Sequence, residues 1–504
     1  MPFRPAGQWA RFRRSVRAQC RLFPHAVAGT GRFLCPSGRA GLRRRGWRRR
    51  RPPDSHGGRR AQDSAGGAGR GVPCRLRGAA ASGPPSAPAP ARAWQCAALA
   101  VGPAGRQMSA TRPRLAIVTM QFPVPSETFL SREILALGPS VEIAVHTLKG
   151  LHPRRERIAA EQGVDGVVTY PPFADKRRLW QAVRTFGMRR IMALARLAVT
   201  DRALPPSVRL RYLAALPSAL LCALRIAEQR PDIVHAYWGH YPSLVLCLLA
   251  GRSPATRHTL GLSAYDLARA GSITREAART SAAVFTLARA NIGAVAELAA
   301  GSPVRVVHHG IDLAAYPPAD ALPAKDPLRI VTAGRLLGFK RFDLVLDAFA
   351  LVLASRPEAR LDLVGDGPER DALQRQAYRL GIADSVRFHG WLAPGALRDM
   401  LLDARMFLLL SQWERIPNVI KEAMAAGCVC ISSHTPGMEE IICDGSDGYL
   451  VADPADSSAV AARMLAHLGK AETDPMQLRA AARIRAGFDV RRTVSGYLEV
   501  WLAP

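Results

Sequence analysis

Two acids eight positions apart, Glu414 and Glu422, and two cations five apart, Arg335 and Lys340, are the groups in this 504-residue chain whose types and spacing suit polar catalysis. The segment WERIPNVIKEAMAAGCVCIS (413–432) reads as a loop, a helix and a buried strand. Pro417 is placed as a first-turn proline, Val419, Ile420, Ala423, Met424 and Ala426 recur at helical spacing, and Gly427 ends the helix. Glu414 then stands in the loop before the helix and Glu422 near its second turn, so both can border one pocket. The amides of Asn418 and Val419 are among the first helical donors without an intrahelical acceptor, and with the helix dipole they make an anion site. A diphosphate is the fitting guest. Glu414, itself negative, suits hydroxyls beside that anion. Taken alone, both acids read equally well as surface charges at a helix terminus.

The segment TAGRLLGFKRFDLVLDAF (332–349) ends a strand at Gly334 and supplies Arg335 and Lys340 before a helix. Cations at a strand's carboxyl end, in the same half as the anion-binding helix, can neutralise a leaving diphosphate. In a water-poor cleft that electrostatic contribution is the main requirement of catalysis. The plainer reading makes them surface bases in a charged turn, as Arg341 is.

The elements that must hold these groups follow from periodicity. Short β-rich runs alternate with helical patterns from Arg114 onward, which is the signature of parallel sheets with crossover helices. LAIVTM (115–120), VEIAVHT (141–147), GVVTY (166–170), DIVHAY (232–237), AVFTL (283–287) and VRVVHH (304–309) belong to a first half. A linker follows at 313–327. The pattern restarts with LRIVTAG (328–334), LDLVGDG (361–367), SVRFHG (385–390), MFLLL (406–410) and CVCISS (428–433). The predicted fold class is α/β, two doubly wound Rossmann-like domains, 108–312 and 328–488, facing across a cleft that takes the ligand.

The motifs GRLLGFKRFDLVLDAF, LVGDGPERDALQRQAYRLGIADSVRFHGWL (363–392), ERIPNVIKEAMAAG and TPGMEEIICDGSDGYLV (435–451) together resemble the family 4 retaining glycosyltransferases, which have the GT-B fold. The resemblance runs from about Arg114 to the C-terminus. It implies that Arg335 and Lys340, after Gly334, hold the diphosphate of a nucleotide-sugar donor. Glu414 is then expected near the donor sugar's hydroxyls, Glu422 on the ribose, and Pro417, Asn418 and Val419 at the helix start beside the phosphates. His389, Gly390 and Trp391 match the loop that meets the nucleobase, and Gly437, Met438, Glu439 and Glu440 match the start of the following helix. Residues 489–504 are expected as a helix packing back toward the first domain.

In the first domain, QFPVPSETFLSREILAL (121–137) resembles the opening of a subgroup that builds exopolysaccharide, lipopolysaccharide or colanic-acid-type chains. Its helix is expected to start near Ser126, with Glu127 and Thr128 in the first turn, facing the cleft from the acceptor's side; Ser126 is equally a helix cap. HAYWGH (235–240) is similar to the subgroup's His-rich loop, with His235 suited to the core and His240 to the cleft. Three positions depart from the family. Ser263 stands where a His is usual, ahead of Asp266; Arg415 follows Glu414 where Gly is common; and Pro123, Val124 and Pro125 replace a glycine-rich turn.

What the resemblance implies is transfer of a hexose, with retention, from a nucleotide diphosphate sugar to a glycan hydroxyl, the glycan lipid-linked, in cell-surface polysaccharide biosynthesis. No cofactor or metal is expected, since no Asp-x-Asp motif ends a strand. An epimerase or hydrolase on the same scaffold is the alternative.

Composition bounds the rest. The chain carries 70 Lys plus Arg against 40 Asp plus Glu, a net charge of +30. Residues 1–107 hold 22 Arg, no Lys and two acids, so +20 lies in a stretch of Arg blocks, Pro, Gly and Ala that cannot bury enough apolar surface to fold. It is either a basic tail or sequence translated from a start placed too early, and the second is favoured because ordinary globular composition begins just after Met108. Nucleic acid is not an expected partner, because the excess charge lies outside the fold. No apolar run reaches spanning length, Ser243–Gly251 stopping well short, and no secretory signal is expected. Nine Cys without a Cys-x-x-Cys pair suit a reducing cytosol. The segment 175–199 sets seven Lys and Arg among Leu, Trp, Phe, Met and Ile. It reads as a solvated helix pair or as a basic amphipathic surface lying on anionic lipid at the inner face of the membrane.

Overall fold

The computed structural model describes residues 112–503 except 173, 174, 253 and 471. The segment 1–107 lies outside the described residues.

Strand β1 (Arg114–Thr119) is buried from Leu115 onward, as expected for a strand covered on both faces. β2 (Glu142–Thr147), β3 (Val168–Tyr170), β4 (Ile233–Ala236), β5 (Arg257–Leu262), β6 (Ala283–Thr286) and β7 (Val304–Val306) join it in a parallel sheet of order β3-β2-β1-β4-β5-β6-β7. β8 (Asp326–Ala333), β9 (Arg360–Val364), β10 (Val386–Gly390), β11 (Ala404–Leu409), β12 (Val429–Ser433) and β13 (Tyr449–Val451) form a second, of order β10-β9-β8-β11-β12-β13. The chain is therefore an α/β protein of two Rossmann-like lobes.

In each sheet the strand order reverses direction beside the first strand, between β1 and β4 and between β8 and β11. Loops leaving such a pair diverge, which opens a crevice at the carboxyl ends. Ser126 and Glu127 follow β1 and His240 follows β4; Arg335 and Lys340 follow β8 and Glu414 follows β11. The candidate residues thus sit at the two crevices.

Helix α1 (Thr128–Leu137) follows β1 and buries Leu130, Ile134 and Leu137. Three consecutive helices, α2 (Lys176–Phe186), α3 (Met188–Thr200) and α4 (Pro206–Gln229), fill the crossover from β3 to β4. α4 corrects one expectation: at 24 residues it is long and apolar enough to cross a bilayer. The run was hidden because Arg209, Arg211 and Pro217 interrupt it. Its inward stripe, including Tyr212, Leu216, Ala219 and Ala223, is buried in the first lobe's core. Helix α5 (Ala264–Ala268) follows β5, α6 (Asn418–Ala425) follows β11, and α7 (Val490–Trp501) ends the chain.

α7 packs on the first lobe rather than the second. Val494, Tyr497 and Trp501 join its core, and the Trp501 indole donates to Thr259 Oγ1 at 3.1 Å. The sixth strand of the second sheet, β13, is a short element that three residues of alternation could not reveal, and VRVVHH is strand only to Val306.

Candidate active site

The second-lobe crevice is built by close backbone approach. Gly365 (φ +131) lies so near β8 that a Cβ there would sit 1.8 Å from the Gly334 carbonyl, and its amide donates to Gly390 O at 2.7 Å. Three strand ends are thereby drawn together. The loop after β8 is then tied to the loop after β11: Gln412 N donates to Phe339 O at 2.7 Å, and Phe339 stacks on Trp413 with centroids 4.7 Å apart.

That clasp sets Lys340 against Glu414. The Lys340 ammonium donates to Glu414 Oε1, both side chains being 17% exposed. Arg335 lies exposed on the same loop, and Arg341 is held by Asp343 at 2.9 Å, a charge at a helix start. Beyond Glu414 the turn is strained. Ile416, β-branched and buried, holds φ +51, a conformation costing about 1–3 kcal/mol and retained where the surrounding packing over-determines the backbone.

α6 starts one residue later than its proline suggested. Pro417 is extended (ψ 136) and stands as the cap, with Asn418 the first helical residue and no side chain capping the helix. Two buried polar atoms at this end lack a protein partner, Trp413 Nε1 and Asn418 Oδ1. An uncapped helix start flanked by a lone donor and a lone acceptor suits a ligand carrying both anionic and hydroxyl oxygens. Val419 is partly buried against the core below them.

The two acids do not share a partner. Glu422 accepts from Arg132 of α1 at 2.7 Å, across the lobes, while Glu414 keeps Lys340. Helical spacing told that they could border one pocket; it could not tell which charge each would meet. His389 needs a second correction, since its Nε2 lies 2.5 Å from Asp362 Oδ1, and Asp362 also pairs with Arg329 at 2.7 Å. This imidazole braces the sheet. After it in the loop come Gly390 (φ +68) and Trp391, 47% exposed.

On the first lobe, Glu127 rather than Ser126 occupies the cap position of α1, without a side-chain capping bond, and helix begins at Thr128. Burial raises the Glu127 carboxyl to about 7, opposed by neighbouring His240 and by a hydrogen bond with Trp238. Asp266 is buried and accepts four bonds: from the Gly239 amide at 3.0 Å, His240 Nδ1 at 3.0 Å, and the Ser263 amide and hydroxyl at 2.8 and 2.7 Å. The contact of Nδ1 with Asp266 fixes the orientation of the His240 ring. His240 thus stands oriented beside Ser263, the position where an imidazole was missing. His235 is a core residue, buried against Tyr497 and Trp501.

Four cleft residues, Arg132, Lys421, His309 and Glu133, escaped sequence reasoning, while Arg415 and Glu440 were singled out there without their partners. Arg132 reaches Gly310 O as well as Glu422. Arg415, beside Glu414, reaches Asn291 Oδ1 of the first lobe at 3.4 Å, and Glu440 accepts from the Arg289 and Ala290 amides and faces His308 at 2.9 Å. Lys421 is fully buried, donates to His309 O, and is pushed down to about 7 by burial and by Arg132. His309 in turn faces Glu133 at 2.5 Å, and the Tyr237 hydroxyl donates to the same carboxylate. Only Lys421 carried a signal in the sequence, a cation at the edge of an apolar helical stripe.

Residues 318–485 match the family described as Glycosyl transferases group 1. The matched segment spans the second lobe from before β8 to past β13. All the candidate residues from Gly334 to Glu422 fall inside it. Over 190 residues the chain is 35% identical to the D-inositol 3-phosphate glycosyltransferase of Streptomyces avermitilis, covering 32% of this chain and 41% of that one. Over 129 residues it is 34% identical to the lipopolysaccharide core biosynthesis glycosyltransferase LpsE of Rhizobium meliloti, covering 26% and 36%. The chain thus spans about two fifths of the length of these curated relatives. The two lobes share their fold with HepE of Anabaena, solved with UDP and glucose (TM-score 0.54, 18% identity, 77% of this chain and 99% of that one). TarM of S. aureus is similar too, at TM-score 0.59 and 10% identity over 78% of this chain and 100% of that one. The fold is that of the GT-B glycosyltransferases.

Proposed function

We propose that this protein transfers a hexose, with retention, from a nucleotide diphosphate sugar to a hydroxyl of a lipid-linked glycan in cell-surface polysaccharide synthesis at the cytoplasmic side of the membrane. The observation that carries the reading is the juxtaposition of Lys340 and Glu414 at the crevice of the second lobe, next to an uncapped helix start. The names of the relatives support glycan assembly, and UDP in the HepE complex supports a nucleoside diphosphate as the leaving group.

The residues suggest how the step runs. An ammonium has three donors, so Lys340 can keep Glu414 and also meet a phosphate oxygen. Arg335 and the amides of Asn418 and Val419 add positive potential to the same group, and Glu414 uses its free oxygen on the sugar's hydroxyls. Bond breaking sends the glycosidic electron pair to the diphosphate, where these groups stabilise the growing charge. The acceptor oxygen bonds the anomeric carbon on the face just vacated, and its proton passes to the departing phosphate oxygen. On the acceptor side, His240 Nε2 and Glu127 are placed to hold a hydroxyl. Closing the lobes excludes water, which would otherwise compete with the glycan.

The reading is tested with the full chain by thermal shift against UDP, GDP and ADP. One of them, at 100 times its dissociation constant, is expected to stabilise the protein by about 2.7 kcal/mol. No shift with any nucleoside diphosphate removes the donor site. Release of free sugar without an acceptor identifies a hydrolase instead.

A further inference from the structure

The three-helix crossover has a solvent face that the donor and acceptor chemistry does not use. Its apolar side chains are unusually exposed: Trp180 62% on α2, Met188 55%, Met192 60% and Val199 49% on α3, and Leu210 67% on α4. Met188, Met192 and Val199 recur at helical spacing, so they form one stripe rather than scattered points.

Around the stripe stand exposed bases. Lys176, Arg177, Arg184, Arg189 and Arg196 all face solvent. Arg190 and Arg209 turn inward instead, to the Cys247 and Ala250 carbonyls and to the Leu204 carbonyl, and Arg178 is taken up by an exposed pair with Glu228. Between Lys176 and Ala214 there is one acid, Asp201, and it is buried and accepts from the Ser272 amide. Asp175, just before, is used as the cap of α2. The face therefore combines apolar side chains with an excess of positive charge, its exposed acids being Asp175, spent as the cap of α2, and Glu228 near the end of α4, paired with Arg178, a combination that fits an anionic interface.

The same helices reach the acceptor side of the cleft. Tyr212 of α4 lies with its ring 4.9 Å from Tyr241, which follows His240, and Arg211 is hydrogen-bonded to Tyr241. Two residues beyond Leu210 the helix is thus in contact with the loop that carries the oriented imidazole.

We infer that the exposed face of α2, α3 and α4 docks on an anionic lipid bilayer and holds the first-lobe acceptor site at its surface. Trp180, Met188, Met192 and Leu210 enter the headgroup region while Arg184, Arg189 and Arg196 meet lipid phosphates. The docking stands on this surface alone; only the delivery of a lipid-borne acceptor rests on the transferase reading.

The test uses the full chain with vesicles of phosphatidylcholine, and of phosphatidylcholine with an equal part of phosphatidylglycerol, some bearing brominated acyl chains. In the anionic vesicles brominated lipid is expected to quench part of the tryptophan emission, and Trp180→Phe is expected to abolish that part. The triple variant Arg184→Glu, Arg189→Glu, Arg196→Glu is expected to lower partition at least tenfold without changing its unfolding midpoint or its stabilisation by a nucleoside diphosphate. Equal quenching in wild type and Trp180→Phe overturns the inference even if the chain sediments, since the Arg-rich 1–107 segment then carries the binding. Equal partition onto phosphatidylcholine alone overturns its electrostatic half, and capture by duplex DNA with no vesicle binding overturns it altogether. Donor-site failure shows only in the nucleotide shift, so the two readings fail separately.

Discussion

Lys340→Ala and Glu414→Ala are each expected to lower turnover by two orders of magnitude or more, with the donor that thermal shift identifies. The magnitude is that of removing one preorganised group from a developing charge, about 2.7–4 kcal/mol. Lys340 acts on the leaving diphosphate and Glu414 on the sugar, so the two losses differ in kind. Lys340→Ala is expected to weaken nucleoside diphosphate binding as well as turnover, whereas Glu414→Ala is expected to spare the binding of the bare diphosphate. Because the two side chains pair in the free protein, the double variant is expected to cost less than the sum of the singles. Near-normal transfer by either single variant would remove both residues from the site.

Lys421→Met is expected to abolish a pH dependence of stability that the wild type shows above neutrality. The buried ammonium is held down to about 7, well below its unfolded value of 10.5. Between those two values the unfolded chain binds a proton that the folded chain does not, so stability rises with pH there, by about 1.4 kcal/mol per unit. Below about pH 7 both states are protonated at this site and its contribution is flat and unfavourable, since the folded protein then buries a charge. Methionine keeps the volume and removes the charge, at the cost of leaving the His309 carbonyl without its donor, about 1–3 kcal/mol. The measurement is the apparent unfolding midpoint of both proteins across the range from pH 6 to about 9. Their difference isolates Lys421 from other titrating groups, and parallel curves would show that the amine stays charged when buried.

Much of the fold was legible in the chain because its signals are local. Alternation of strand and helix patterns reports which residues each element buries against its own layer, and Leu115–Val118 and Ile420, Ala423 and Met424 are buried as their periods indicate. The position of Arg335, Lys340 and Glu414 at strand ends followed from the same logic, since a loop after a parallel strand must open toward the crevice. The start of α6 was off by one residue because a proline with ψ near 136 serves as a cap as readily as a first turn.

Partner choice was decided by the tertiary structure. Arg132 and Glu422 are 290 positions apart, and they meet because α1 of one lobe faces α6 of the other. His389 turns to Asp362 because β9 and β10 are neighbours, and His240 is oriented by Asp266 because the loops after β4 and β5 converge. Periodicity tells a side chain's face; only the docking of layers and lobes tells what lies opposite that face. The types of charge available at the crevice were therefore written in the chain, and the pairs they form were set by packing.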